Sequence, residues 1–320
     1  MSRRAQQISF VPQLLADQTL YSWVAMFHSL SGNISPDETR RQLFGSEKAG
    51  LHFHIPSHLA AFCAHTQLAL GDVRKLVATA TVLPFFTRFR PKTVTDDTIA
   101  LVAGKSATGL PQMLHMDRKP PYWALPKKSC PDCIHLDQER LGFAYWRRAH
   151  QLPGALVCHR HGVALHFEAS IHSHSTSSFL TPTRQMPSTT PHQIVRVNWA
   201  NNPTALRLAI LAKDMADSGF EGASNRSILL SSCQKQIAIR FASTSSRFRP
   251  DPLAMSSDFT RHFESVILAP EIGTIIGQRG IRALWMLLEG SESHAHPLEW
   301  MLIIDWLYGN WSNFELSFRQ

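Results

Sequence analysis

Apolar residues recur at helical spacing through the first 105 positions and again after position 203, with an aperiodic stretch between. Leu20, Trp23, Val24, Phe27 and Leu30 fall on one face of a helix that Asp17 can cap and that ends near Gly32. Ser35-Pro36-Asp37-Glu38 reads as a capping box with proline in the first turn, and its helix stops at Gly45. Ile55-Pro56-Ser57 opens a third helix carrying Leu59, Phe62 and Cys63. After a turn near Gly71, Asp72 caps a fourth, with Val73, Leu76, Val77 and Ala80 inward. The third and fourth together can form a helix-turn-helix unit, or simply pack as core. Beyond Pro203, a helix with Leu206, Ile210, Leu211 and Met215 on one face ends before Gly219. Further helices are expected from Asn225 to Phe241, Asp258 to Leu268, Ile281 to Glu289 and Pro297 to Leu307. The last two are apolar and tryptophan-rich, which fits core better than a partner-binding face.

The resulting expectation is a mainly α chain. Residues 1–110 form an N-terminal helical domain with a helix-turn-helix, 111–169 a zinc-finger module, and 194–320 a C-terminal helical domain. Residues 170–193 hold 17 Ser, Thr, Pro or His in 24 positions, the composition of a linker or exposed loop.

Composition sharpens this picture. The chain has 320 residues and a net charge of +8, a balance that suits a polyanionic partner. The excess is local: residues 85–160 carry 12 Lys/Arg against 6 Asp/Glu, whereas residues 161–320 carry 13 of each. The longest apolar run, Leu76 to Phe86, is broken by Pro84 and far short of the ~20 residues of a spanning helix, so no membrane role is expected. No apolar leader and an odd five cysteines point to the reducing cytoplasm, where a DNA partner would place the chain on the nucleoid. Neither G-x-x-x-x-G-K-[ST] nor G-x-G-x-x-G occurs.

The strongest chemical signal is Cys130-Pro-Asp-Cys133 followed by Cys158-His-Arg-His161. Two ligands separated by two residues can face one ion from a tight turn, and two such knuckles supply a tetrahedron. Three thiolates and one imidazole select Zn2+, one per chain and structural, since four protein ligands close the site. His161 is the fourth ligand best matched in spacing, with His159 and His166 as alternatives. Cys63 and Cys233 stand alone and read as core. A zinc deaminase would need H-x-E upstream of P-C-x-x-C. Here His166-Phe-Glu168 and His262-Phe-Glu264 lie downstream, and Ser129 precedes Cys130, so no enzyme is expected. Between the knuckles, Tyr145 and Trp146 supply apolar bulk, Arg147 and Arg148 are expected on the surface, and Pro153-Gly154 turns the chain. Lys127, Lys128, Arg140 and Arg160 extend the positive field, which makes these six side chains the candidate DNA contacts.

This segment resembles the hallmark of the TniQ/TnsD family of transposon target-selection proteins. Cys130, Cys133, Cys158 and His161 match that family's ligand positions one by one, with His159 where the family has proline. Ile55-Pro-Ser-His-Leu59 and Leu83-Pro-Phe-Phe-Thr-Arg-Phe89 resemble its helical domain, and Trp306-Leu-Tyr-Gly-Asn-Trp311 a closing motif. The chain is short beside the longer TnsD members. The resemblance implies a role without chemistry of its own: recognising a target and recruiting the AAA+ regulator of the transposase. The target is either a DNA site read directly or a CRISPR effector complex (Cascade-type, with its guide RNA) bound to DNA. A homodimer is implied by the resemblance alone. A zinc-containing transcription regulator would use the same parts.

Overall fold

The computed structural model describes residues 8–47, 49, 52–117, 126–167, 179–182, 199–220, 226–241, 251–277 and 296–317. They are mainly helical, as the periodicity predicts. In the N-terminal part lie α1 (Leu20–Ser31), α2 (Pro36–Phe44), α3 (Leu59–His65), α4 (Val73–Ala80), α5 (Leu83–Thr87), α6 (Lys92–Ala103) and α7 (Leu110–Met113). The middle holds β1 (Lys128–Ser129), α8 (Pro131–Leu141), α9 (Arg148–Gln151) and β2 (His166–Phe167). Then come α10 (Pro203–Asp217), α11 (Arg226–Arg240), α12 (Pro252–His262), a 3-10 turn (Glu264–Val266), α13 (Pro270–Ile276), α14 (Pro297–Tyr308) and α15 (Trp311–Leu316). No described helix is long and apolar enough to cross a membrane.

Caps decide most boundaries. Ser35 Oγ accepts from the Glu38 amide and Gly45 closes α2 in the left-handed region, both as read from the sequence. Asp72 caps α4 by accepting from the Lys75 amide. For α1 the cap is Thr19, whose Oγ1 accepts from the Ser22 amide, rather than Asp17. Asp17 is drawn away to α9, where its carboxylate accepts from the Ala149 amide. Leu30, expected inward, is 58% exposed, because the last turn of α1 projects past the core. The α3–α4 pair is consecutive and in contact, with Gln67, Leu68 and Gly71 at positive φ in the turn between them.

After position 203 the expected faces shift. In α10 the buried side is Ala205, Leu208, Leu211, Ala212 and Met215, whereas Ile210 is 40% exposed. The alanines, skipped by a search for large apolar residues, let α10 approach α5, α9 and α14 closely. The helix expected at 258–268 starts earlier, where Asp251 caps Pro252 and accepts from the Leu253 amide. Asp258, proposed to start it, lies mid-helix and accepts from Trp306 Nε1 and Arg240. The Ile281–Glu289 expectation, with Trp285, falls outside the described residues. Trp300 and Trp306 are core, as expected, and Trp311 beyond them is buried too.

One apolar cluster runs from Leu20 in α1 through Trp146 and α10 to Phe314 in α15. Gly154 lies where this core meets the middle segment. Its φ is +76°, and an added Cβ would come within 2.6 Å of Met301 Cε and 3.0 Å of Leu298 Cδ1. Gly154→Ala therefore combines a left-handed backbone cost of ~1–2 kcal/mol with crowding of α14. A lowered urea midpoint at unchanged m-value is the expected result.

Candidate metal centre

Local sequence shapes both knuckles. Cys130 is the N-cap of α8, and its Sγ accepts from the Cys133 amide at 3.4 Å. Pro131, in the first turn, has no N–H to leave unsatisfied. The second knuckle is a tight hairpin, in which the Cys158 amide donates to Val163 O and the Gly162 amide returns to Cys158 O. Gly162 takes φ +67° to make that turn. Antiparallel pairing of Lys128 with Phe167 and Ser129 with His166 clamps the two knuckles together.

The clamp brings Cys130, Cys133, Cys158 and His161 to one point. His161 Nδ1 lies 3.3, 3.5 and 3.6 Å from the sulfurs of Cys130, Cys133 and Cys158, and the last two sulfurs are 3.7 Å apart. A tetrahedron with bonds of ~2.3 Å to sulfur and ~2.0–2.1 Å to nitrogen has S···S edges of ~3.8 Å and S···N edges of ~3.5–3.6 Å. The observed edges fit a four-coordinate ion of zinc size. His166, on β2, is exposed. His150 and His159 form a three-residue grouping that shares Cys158 with the larger set. The complete tetrahedron favours His161.

Hydrogen bonds with the Cys130 and Cys158 sulfurs push Cys133 far up, and hydrogen bonds with Cys130 and Cys133 pull Cys158 far down. Ionising three thiols this close together needs a positive ion beside them. Cys63 and Cys233, both buried, are pushed up to about 11 and about 12 by burial, which suits core residues.

The basic candidates divide. Arg140 and Arg160 are exposed. Lys127 is half-buried, its Nζ 5.1–5.6 Å from the ring centroids of Tyr21, Phe53 and Trp146. Lys128 is buried, donating to Leu152 O and Ala155 O, and burial lowers its pKa. The surface expectation for Arg147 and Arg148 is overturned: they are 5% and 6% exposed. Arg147 stacks on Tyr145 and donates to Asp137 Oδ1 at 2.6 Å. Arg148 donates to Ala78 O and pairs with Asp217 and Asp17. The physical reason is the depth of the hallmark stretch. Trp146 is fully buried, its amide donates to Ser22 Oγ, and its carbonyl accepts from the Thr19 amide. The guanidinium groups beside it are inside, so they carry acids with them.

Sequence reading took Asp17 only for a helix cap and missed its pairing with Arg148, as it missed Asp137 and Asp217, because none sits at a helical or knuckle offset from the arginine it meets. It also missed the docking of Phe179 and Leu180, within the expected linker. Trp146 Nε1 donates to Leu180 O, Tyr21 Oη accepts from the Leu180 amide, and Arg40 lies over the Phe179 ring. Most of 170–193 lies outside the described residues.

The TniQ family model matches residues 9–165, which take in both knuckles, α1–α9 and the hallmark stretch. The chain is 26% identical over 164 residues to the transposition protein TnsD of transposon Tn7 from Escherichia coli. That match covers 51% of this chain and 32% of TnsD, about a third of its length. Residues 9–165 of the chain are thus a TniQ domain.

Proposed function

We propose that this chain is a transposition target-selection protein built around one structural Zn2+, held by Cys130, Cys133, Cys158 and His161. The match of the ligand edges to a zinc tetrahedron, inside a TniQ domain, carries this reading. In it the ion joins two knuckles and does no chemistry. The helix pair α3–α4 and the exposed arginines of the middle segment read target DNA, and the assembled protein recruits the AAA+ regulator of the transposase.

Salt dependence tests the DNA step. Each phosphate neutralised adds ~0.9 to the slope of log K against log salt. Arg140→Ala combined with Arg160→Ala should flatten that slope by one to two contacts (~0.9–1.8) in duplex filter binding. An unchanged slope would remove both residues from the interface.

A second reading is favoured by the burial of Lys128, Arg147 and Arg148, which takes three of six candidate contacts out of reach of a duplex. In that reading the chain is an adaptor that docks on a CRISPR effector complex and touches little DNA. Purified protein that ignores target duplex yet co-purifies with such a complex would select it.

A further inference from the structure

Residues 179–182 (Phe-Leu-Thr-Pro) lie against α1, α2 and the hallmark stretch in the manner of a bound peptide. They form no helix or strand. Among the described residues they make no backbone–backbone hydrogen bond, and side chains hold them instead. Tyr21 Oη accepts from the Leu180 amide at 3.1 Å, and Trp146 Nε1 donates to Leu180 O at 2.8 Å. Both main-chain groups of one residue are thus read by two aromatic side chains. Phe179 enters a pocket made by His28, Tyr21 and Arg40. The two rings meet it edge-on at centroid distances of 5.2 and 6.3 Å, and the guanidinium carbon lies 5.6 Å from its centroid. Pro182 is buried, whereas the Leu180 side chain turns out and is 46% exposed.

The walls of this groove are fixed by contacts that do not involve 179–182. Tyr21 and His28 stand on α1 and Arg40 on α2, and His28 Nδ1 is 2.7 Å from Thr39 Oγ1. Trp146 is tied to α1 through Ser22 and Thr19. A preformed wall lowers the cost of binding an extended chain. What the wall reads at Leu180 is generic, since any residue but proline supplies that N–H and C=O. Specificity falls to the aromatic ring one position earlier and the proline two positions later. Recognition of extended peptides divides the work in this way, main-chain bonds giving affinity and side-chain pockets giving selectivity. Segment 179–182 sits on a tether rich in Ser, Thr, Pro and His. A short flexible tether presents its end at an effective concentration on the order of millimolar. Modest affinity therefore keeps the groove filled, and a tighter external segment displaces the tethered one.

The geometry points to this groove as a recognition site for an extended protein segment of the pattern aromatic–x–x–proline, closed in cis by residues 179–182. The partner is a protein that carries this pattern in an extended stretch and enters by displacing the tethered copy. The proposal holds whether or not the chain reads DNA.

The probe is a fluorescein-labelled peptide of residues 176–184, titrated by anisotropy into the full zinc-loaded chain, wild type and Phe179→Ala. In the variant the tethered copy lacks its ring, and a half-buried aromatic side chain is worth roughly ten-fold in affinity. The expected result is saturable binding to Phe179→Ala, roughly ten-fold tighter than to the wild type, whose groove is open for a smaller fraction of the time. A control peptide carrying Phe179→Ala should bind far more weakly. Tyr21→Phe added to the variant should weaken the peptide several-fold, because the Leu180 amide loses its acceptor. Leu180→Pro removes the tethered N–H while leaving Phe179 in place, and it serves as a second opened variant should Phe179→Ala fail to fold. Zinc content and helical circular dichroism certify the fold of each. No binding to a folded opened variant, or equal binding to wild type and opened variants, overturns the proposal. Binding that the control peptide matches and Tyr21→Phe leaves unchanged is adhesion elsewhere and overturns it as well.

Discussion

Cys158→Ser should abolish metal binding and unfold the middle of the chain. Cys158 is completely buried, and its sulfur is 3.7 Å from that of Cys133 and 3.6 Å from His161 Nδ1. Among the described residues, the local core apart from the cysteines is only Ala155 and Leu165, with Val163 against it. That is too little apolar surface to hold two knuckles together, so a bound ion would supply the energy. Structural zinc in finger peptides is worth ~10–16 kcal/mol at neutral pH, all of it folding free energy. The damage should spread, because the hallmark stretch between the knuckles threads into the N-terminal core through Trp146 and Tyr145. Metal analysis of the purified wild type should give one zinc per chain. The serine variant should give none, with a broad, early thermal transition. Cys63→Ser, which alters a buried thiol outside the set, should keep its zinc. A Cys158→Ser chain that is metal-free yet unfolds at the wild-type temperature would sink the structural-zinc reading.

The parts legible in the sequence were those set by neighbours in the chain. Cys130 and Cys133, like Cys158 and His161, sit three positions apart, and a tight turn converts that spacing into geometry. Ser35, Asp72, Gly32 and Gly45 punctuate helices because a cap bonds within its own turn. What stayed hidden depends on who arrives from elsewhere. Asp17 has the chemistry of a cap, but Thr19 is two residues nearer α1, and Asp17 is consumed 132 residues away by Ala149. Arg147 and Arg148 look like surface charge in any local window. Their burial follows from Asp137, ten residues back, and Asp217, 69 residues ahead, and neither distance is encoded in a helical period. The net charge of residues 85–160 overstates the field a partner meets, since part of it is spent on internal ion pairs.

Arg148→Met should be the most damaging change outside the metal ligands. Arg148 ties three parts of the fold together: it donates to Ala78 O at the end of α4 at 2.6 Å, pairs with Asp217 at the end of α10, and lies 3.8 Å from Asp17 Oδ1. Removing one partner of a buried pair strands the other, at ~3–5 kcal/mol. Asp217 is 38% exposed and can turn to water or Lys213, but Asp17 is 15% exposed and has no such exit. Burial already raises the Asp17 pKa, and the neighbouring Arg148 charge does most to pull it back down. Without Arg148 it rises further above its unfolded value. A carboxyl whose folded pKa is raised binds its proton more tightly in the folded state, so its penalty is largest at high pH and is relieved as pH falls. The gap in unfolding free energy between wild type and Arg148→Met should therefore shrink from pH ~8 towards ~5.5. Asp17→Asn introduced into Arg148→Met should recover part of the loss at pH ~8, since no charge is then stranded. Arg148→Lys should be intermediate, because one ammonium cannot reach in the three directions the guanidinium covers. Arg160→Ala, at an exposed position, should change stability by no more than ~0.5 kcal/mol. A pH-independent gap, or no recovery in the double variant, would mean that Arg148 serves by packing rather than by neutralising Asp17.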